Sequence, residues 1–91
     1  MSEEKTILVL ARNDHTEAMR VAGGLTIFGH SVEIVFVDRP IEETPENLEQ
    51  AELLEITEIE PVSLVSDPNM ETINQAEFAS RLLRADHVYS F

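Results

Sequence analysis

Uninterrupted apolar runs alternate with a helical pattern in the first third of the chain. Ile7 to Leu10 are four consecutive apolar residues, and Val32 to Val37 are apolar on both faces except at Glu33. Such runs are typical of strands covered on both faces, as in the parallel sheet of an α/β protein. Residues 5–38 therefore predict a strand, a crossover helix and a second strand parallel to the first, joined by a right-handed connection.

The helix of this unit has clear start and stop residues. Asp14 is a suitable N-cap, and Glu17, three residues later, is placed to return the capping hydrogen bond. Gly29 is expected to end the helix in a left-handed conformation before the second strand. Apolar residues at three- and four-residue steps predict one face packed on the sheet. These residues are Ala18, Val21, Ala22, Leu25 and Phe28.

The second half of the chain continues the alternation. A second helix is predicted from Pro45, capped by Thr44, to about Leu54, whereas the pattern from Leu54 to Glu60 fits a helix or an extended segment. A short third strand is predicted over residues 62–66, followed by a third helix over residues 70–85. Asp67 and Pro68 pair an N-cap with a first-turn proline before this helix. Its predicted buried residues are Ile73, Ala76, Ala79 and Leu83, and a fourth strand begins at His87.

These elements predict one α/β domain over residues 1–91, with a short flexible tail at residues 1–4. The domain would have three layers and a four-stranded, mainly parallel sheet with crossover helices. The strand order stays open. A sequential order would place all three helices on one face of the sheet, whereas a first strand between the second and third would put helices on both faces.

Charge and composition restrict the classes of function. Six basic residues against eighteen acidic residues give a formal net charge of -12, so we expect no binding to nucleic acid. No apolar run reaches the roughly 18 residues that a membrane span needs. The chain starts with an acidic rather than a basic segment, and we expect a cytoplasmic protein without membrane contact. The absence of cysteine excludes disulfides, thiolate zinc sites and thiol nucleophiles.

Eight of the acidic residues lie between Glu42 and Glu60 without an intervening basic residue. Six of them recur at every third position, and on an α-helix a three-residue step falls about 60° short of a full turn. The carboxylates therefore spiral around the axis instead of converging, and we predict a solvated acidic segment rather than a metal site. The six are Glu43, Glu46, Glu49, Glu52, Glu55 and Glu58.

No catalytic or cofactor-binding constellation is recognisable. The three histidines are far apart in sequence and have no metal-ligand spacing, and no serine lies in a nucleophile-elbow motif. We therefore predict no catalytic residue, no metal ligand and no cofactor. His15 is expected on the surface of the first helical turn.

Polar residues follow the first strand, where open parallel sheets commonly bind ligands. Arg12, Asn13 and Asp14 lie between the strand and a helix N-terminus, which can hold an anion. The turn has no glycine to let a phosphate approach the backbone, and Asp14 itself occupies the positive end of the helix. These three residues are candidate ligand-binding residues without a recognisable phosphate motif.

A second group of residues suggests contact with another subunit. Gly23 and Gly24 lie inside the first helix, where each costs up to roughly 1 kcal/mol relative to alanine. Met19, Gly23 and Ile27 form a smaller apolar strip off the main stripe, and Phe78 lies opposite the predicted buried face of the third helix. We predict Met19, Gly23, Ile27 and Phe78 as interface residues. The alternative is cover from a neighbouring helix for the strip, and a loop contact for Phe78.

Three segments together resemble the DsrE/DsrF/DsrH-like family of small α/β proteins, which includes sulfur-relay subunits. They are KTILVLARND at the first strand, GHSVEIVFVD between the first helix and second strand, and LLRADHVYSF at residues 82–91. The resemblance covers most of the chain. It implies a three-layer fold with a mainly parallel sheet and assembly into homo- or hetero-oligomers.

The resemblance also implies sulfur carried on a cysteine in active members, and this sequence departs from that pattern. The turn after the third strand reads Ser66, Asp67, Pro68 and Asn69, and methionine cannot form a persulfide. With this departure, the resemblance implies a non-catalytic subunit that binds itself or a partner and is linked to sulfur metabolism. The alternative is a nucleotide- or anion-binding domain with its site at the C-terminal edge of the sheet.

Overall fold

Strands and helices alternate along residues 5–68 and 70–91, the part of the chain that the computed structural model describes. The predicted flexible tail at residues 1–4, and Asn69, lie outside these residues. The described part forms five strands and three helices. The strands are β1 (Thr6–Ala11), β2 (Ser31–Phe36), β3 (Val62–Ser63), β4 (Glu71–Thr72) and β5 (His87–Ser90), and the helices are α1 (His15–Ile27), α2 (Pro45–Ile56) and α3 (Gln75–Arg84).

The five strands of the described residues form one all-parallel sheet in the order β4-β3-β2-β1-β5. The internal position of β1 and the parallel pairing with β2 are confirmed. The prediction of four strands is wrong because β4 contains only Glu71 and Thr72, both exposed, and an exposed two-residue strand has no apolar alternation that a sequence pattern could detect.

Helices cover both faces of this sheet. On one face, α1 and α2 pack over Val9 and Phe36, and on the other, α3 packs near Leu8 and Val35. The order differs from both arrangements considered from sequence, since β1 lies between β2 and β5. Right-handed connections explain these two layers. The steps from β1 to β2 and from β2 to β3 run in one direction along the sheet and place α1 and α2 on one face, whereas the step from β4 to β5 runs back and places α3 on the other.

The ends of α1 follow the sequence closely. Asp14 Oδ1 accepts a hydrogen bond from the Glu17 backbone N–H at 3.0 Å, and Gly29 has a φ of +88°. The predicted return bond is not formed, because the Glu17 carboxylate accepts from Arg20 instead. Phe28 was expected in the buried stripe but is exposed, since it lies at the C-cap beyond the last helical turn.

The predicted start and buried face of the third helix are wrong. Asn74 is the N-cap of α3, whereas Asp67 Oδ2 accepts from the Ile41 backbone N–H at 3.2 Å. Ile73 is buried but precedes the helix, and Leu83 is 88% exposed. Because Ile73 precedes the helix, a helical pattern that starts from Ile73 predicts the wrong face of α3 as buried. Ala76 and Ala79 are exposed, and the inward side contains Phe78, Arg81 and Ala85.

The segment after Leu54, left open by the sequence, is helical to Ile56 and then turns. Glu58 has a φ of 62°, and this left-handed turn lets the Ile59 N–H donate to the Leu54 carbonyl at 2.9 Å. Leu54 and Ile59 are both buried. The third strand ends at Ser63 rather than Ser66. No helix in the described residues combines the length and apolar character required to cross a membrane.

Candidate functional site

The loops after β1 and β2 meet at the C-terminal edge of the sheet. Arg39 connects them: its guanidinium donates to the backbone carbonyls of Arg12 at 2.7 Å and Asn13 at 2.8 Å. It also contacts the Asp38 carboxylate at 3.1 Å. These contacts use three of the five guanidinium donors, so Arg39 holds the two loops together and its charge is partly neutralised by Asp38.

The backbone donors of the predicted anion site are already hydrogen-bonded. The N–H groups of Arg12 and Asn13 both donate to the Phe91 carbonyl at 2.8 Å. Asp14 accepts from an N–H of the first turn of α1, so a carboxylate already lies at the helix N-terminus. A phosphate bound there would have to replace these contacts, and the geometry therefore does not favour a nucleotide.

A polar pocket of about 280 Å³ lies on the α1 and α2 side of this edge, with Asp14, Arg39 and Glu42 in its lining. Asn47, which is buried, connects the helices below it. Its side chain accepts a hydrogen bond from the Thr16 hydroxyl and donates to the Glu42 carbonyl at 2.9 Å. No local pattern predicts this contact, because Asn47 and Thr16 are separated by thirty-one residues.

His15 lies at the base of this pocket and is buried, contrary to the predicted surface position. Its ring packs edge-on against Phe36, with centroids 4.8 Å apart, and Nε2 lies 3.5 Å from Asp38 Oδ1. This distance is too long for a good hydrogen bond, and Nε2 has no hydrogen-bond partner among the described residues. Burial lowers the pKa of His15, Arg39 lowers it further, and Asp38 opposes both.

A larger cleft of about 510 Å³ opens on the α3 side of the same edge; we call it the Arg12 cleft. Arg12 lines it, and among the described residues the Arg12 guanidinium makes no hydrogen bond or ion pair. Asn13 lies beside Arg12, whereas Asp14 lines the polar pocket on the other side. The remaining lining residues are mostly apolar: Leu10, Val37, Asp38, Leu64, Gln75, Phe78 and Leu82.

The predicted interface residues separate into two groups. Met19 and Gly23 are buried, and a Cβ added at Gly23 would lie 2.8 Å from Leu53 Cδ2 of α2. These two positions are therefore covered by a neighbouring helix, which was the alternative considered from sequence. Ile27 is 73% exposed, whereas Phe78 is half-buried against the apolar cluster around Leu8 and Val35 and lines the Arg12 cleft.

An exposed apolar region that sequence reasoning missed lies on α3 and β5. Neither element contains a buried residue. Val88 pairs in register with Leu8, and Tyr89 pairs with Val9, so their side chains lie on opposite faces of the edge strand. We define the α3–β5 surface by its exposed apolar residues Leu82, Leu83, Val88 and Tyr89.

Neither metal chemistry nor relatives assign a function to these features. Across residues 5–68 and 70–91, no group of three or more histidine, aspartate or glutamate side chains is placed to hold a metal ion. No protein-family model matches the sequence, and no curated protein is significantly similar to it. The DsrE-like resemblance therefore stays a prediction.

Proposed function

We propose that the protein is a non-catalytic subunit that assembles with a second copy or a related subunit through the α3–β5 surface. The exposure of β5 carries this proposal. All four of its residues are exposed, although it pairs with the internal strand β1. An edge strand presents unpaired backbone N–H and C=O groups, which pair readily with a strand of another chain.

The chemistry of the two sheet edges favours β5 over β4. Edge strands are commonly protected by charged residues, proline or very short length. The other edge, β4, is two residues long and contains Glu71, whereas β5 contains neither proline nor an acidic or strongly basic residue. A strand added beside β5 would cover Val88 on one face and Tyr89 on the other.

The sequence resemblance supports the same proposal. Small α/β subunits of the DsrE/DsrF/DsrH-like kind assemble into oligomers, and membership would link this protein to sulfur metabolism. Since the chain contains no cysteine, its role there would be assembly or partner binding, without a persulfide of its own.

Light scattering at micromolar concentration tests the assembly. We expect a dimer or larger species for the wild type and a monomer for the double variant Val88→Lys, Tyr89→Lys, because charges on an edge strand oppose strand addition. Ile27→Lys is the control, since Ile27 is even more exposed than Val88 and Tyr89 but lies at the C-terminal end of α1. A wild-type monomer that does not change with candidate partners, or an assembly disrupted only by Ile27→Lys, would contradict the proposal.

The Arg12 cleft favours a second candidate function, the binding of a small anion with an apolar body. An unpaired guanidinium above an apolar floor suits a carboxylate attached to a hydrocarbon chain. The net charge of -12 repels anions from the rest of the surface, so we expect an anion to bind near the Arg12 guanidinium. This ligand class differs from the nucleotide considered from sequence, because the backbone donors at Arg12 and Asn13 are already used.

Calorimetry with hexanoate and with acetate tests this function. Hexanoate is expected to bind more tightly than acetate, and Arg12→Gln is expected to remove the binding. Arg84→Gln makes the same charge change outside the cleft and should leave the affinity unchanged. If neither carboxylate binds, or if both variants weaken binding equally, the cleft is not the ligand site.

A further inference from the structure

The connection between β3 and β4 leaves one part of the sheet without a helix. Residues 64–70 separate these two parallel strands, whereas parallel neighbours are ordinarily joined by a crossover of about a dozen residues or more, usually with a helix. The connections from β1 to β2, from β2 to β3 and from β3 to β4 all run in the same direction along the sheet. A right-handed crossover between β3 and β4 would therefore lie on the same face as α1 and α2. Among residues 5–68 and 70–91, no helix occupies that position next to α2.

A groove occupies this position. Its larger part has a volume of about 430 Å³ and lies between α2 and Met70, with Leu54 and Ile59 in its lining. A smaller part of about 180 Å³ continues along α2 past Leu48, and Ala51 lines both parts. The α2 residues that line the groove recur at helical spacing and form one face of the helix: Asn47, Leu48, Ala51, Leu54 and Glu55.

The rim of the groove carries only negative charge. No lining residue is basic, and acidic residues lie along its length on both sides. Leu48 is 57% exposed, so an apolar contact is available between the carboxylates. The acidic lining residues other than Asp67, which is buried, are Glu42, Glu43, Glu55, Glu60 and Glu71.

We propose that this groove, which we call the α2 groove, docks a basic amphipathic helix of a partner protein. The open helix position gives the shape, the apolar floor accepts the apolar face, and the acidic rim pairs with lysine or arginine on the flanks. Charge complementarity selects this occupant over an acidic or uncharged helix. The α2 groove is at the opposite edge of the sheet from β5, so it is a separate surface from the one used for assembly.

A designed helical peptide of leucine and lysine, with all leucines on one face, is the probe. Anisotropy of the labelled peptide is expected to show micromolar binding that weakens with salt. A scrambled peptide of identical composition, without an apolar face, should bind about tenfold more weakly, as should a peptide with glutamate in place of lysine. Equal binding of the ordered and scrambled peptides would overturn the proposal.

Two sets of variants locate the site. Glu55→Lys with Glu60→Lys reverses two rim charges and should weaken binding about tenfold, whereas Glu46→Lys with Glu49→Lys makes the same charge change on α2 outside the groove and should have a small effect. Ala51→Gln narrows the groove without a charge change and should also weaken binding. Circular dichroism confirms that each variant is folded.

Other outcomes would reject the occupant. Equal losses for both charge-reversal pairs would show general attraction to an acidic protein. Binding mapped by NMR to α3 and β5 would assign the peptide to the assembly surface. Self-association that is abolished by Ala51→Gln, without peptide binding, would show that a second copy fills the groove. Failure of the assembly proposal would appear in a different measurement, the light scattering of the Val88→Lys, Tyr89→Lys variant.

Discussion

Contacts between segments far apart in sequence hold α1 against its neighbours. Thr16 and Asn47 join α1 to α2 by a side-chain hydrogen bond, and His15 packs on Phe36 of β2. Gly23 lies where the two helices approach most closely, next to Leu53. Small and buried polar residues therefore set this helix pair, and single substitutions at them should have measurable effects on stability.

Alanine at the two adjacent glycines should have opposite consequences. Gly24→Ala is expected to raise the free energy of unfolding by roughly 0.5–1 kcal/mol, because a Cβ there meets no atom within 4 Å and alanine favours the helix. Gly23→Ala should lose that gain, since its Cβ would lie 2.8 Å from Leu53 Cδ2 and displace α2. Urea unfolding measures both, and equal stabilisation by the two variants would contradict the close approach.

The buried imidazole of His15 should make stability depend on pH. Its pKa is lowered from 6.5, mainly by burial, so the unfolded chain binds more protons than the native state between the two pKa values. The free energy of unfolding should therefore decrease as the pH falls below about 6.5 towards the native pKa. His15→Gln should remove this part of the dependence, measured by urea unfolding across that range.

Asp38→Asn is the matched test of the electrostatic part. The carboxylate favours the charged imidazole, so its removal should lower the pKa of His15 further, as followed by NMR of the ring protons. A His15 pKa at or above its ordinary value in the wild type would contradict the burial argument.

At the scale of elements, α3 differs from α1 and α2 in how it is attached. No residue of α3 is buried, and its contact with the sheet relies on Phe78 and on Arg81. Arg81 bonds to Glu33 of β2 at 2.8 Å and to Glu77 at 2.9 Å. An ion pair that crosses from helix to sheet is partly shielded from water, so it contributes more than the exposed pairs along a helix.

Replacing Arg81 should therefore loosen α3. Arg81→Ala is expected to lower the free energy of unfolding by about 1–2 kcal/mol, because hydrogen bonds to charged partners are lost in a half-buried site. Arg84→Ala is the control, since Arg84 is more exposed and lies 3.6 Å from Glu77. A double-mutant cycle with Glu33→Gln should show coupling, and an equal effect of Arg81→Ala and Arg84→Ala would reject the specific role of Arg81.

At the scale of the whole molecule, negative charge is concentrated on one side. The basic residues Arg81 and Arg84 lie on α3, whereas residues 42–60 carry eight acidic residues and no basic one. Repulsion between these carboxylates destabilises α2, because the helix contains no basic residue that could form an ion pair with a glutamate three or four positions away. The acidic side is therefore the part of the fold that depends most on ionic conditions.

Added salt should raise the melting temperature by screening this repulsion. Sodium chloride and choline chloride are expected to have equal effects at equal ionic strength, because screening does not depend on cation type. Glu49→Gln with Glu52→Gln should reduce the salt dependence. A stabilisation specific to sodium would instead indicate a bound cation and would contradict the screening argument.

The local signals in the sequence determined the first βαβ unit and the caps of two helices. Consecutive apolar residues in β1 and β2, Asp14 and Thr44 as N-caps, and Gly29 as the helix stop each depend on neighbours within a few residues. Such interactions are encoded locally, and for that reason the α/β class and the internal position of β1 were predictable. Arg12 and Asn13 were also correctly placed at the C-terminal edge of the sheet.

Only the tertiary structure decided the remaining features, because they depend on contacts between distant segments. Leu53 of α2 packs against Gly23, and Met19 is buried in the core, so two predicted interface residues are covered within the chain. A two-residue β4 with exposed side chains left no pattern to detect. The burial of His15 required Phe36, twenty-one residues away. Strand order then decided which surfaces stay open: β5 at one edge and the α2 groove near the other exist because the connections run in opposite directions across the sheet.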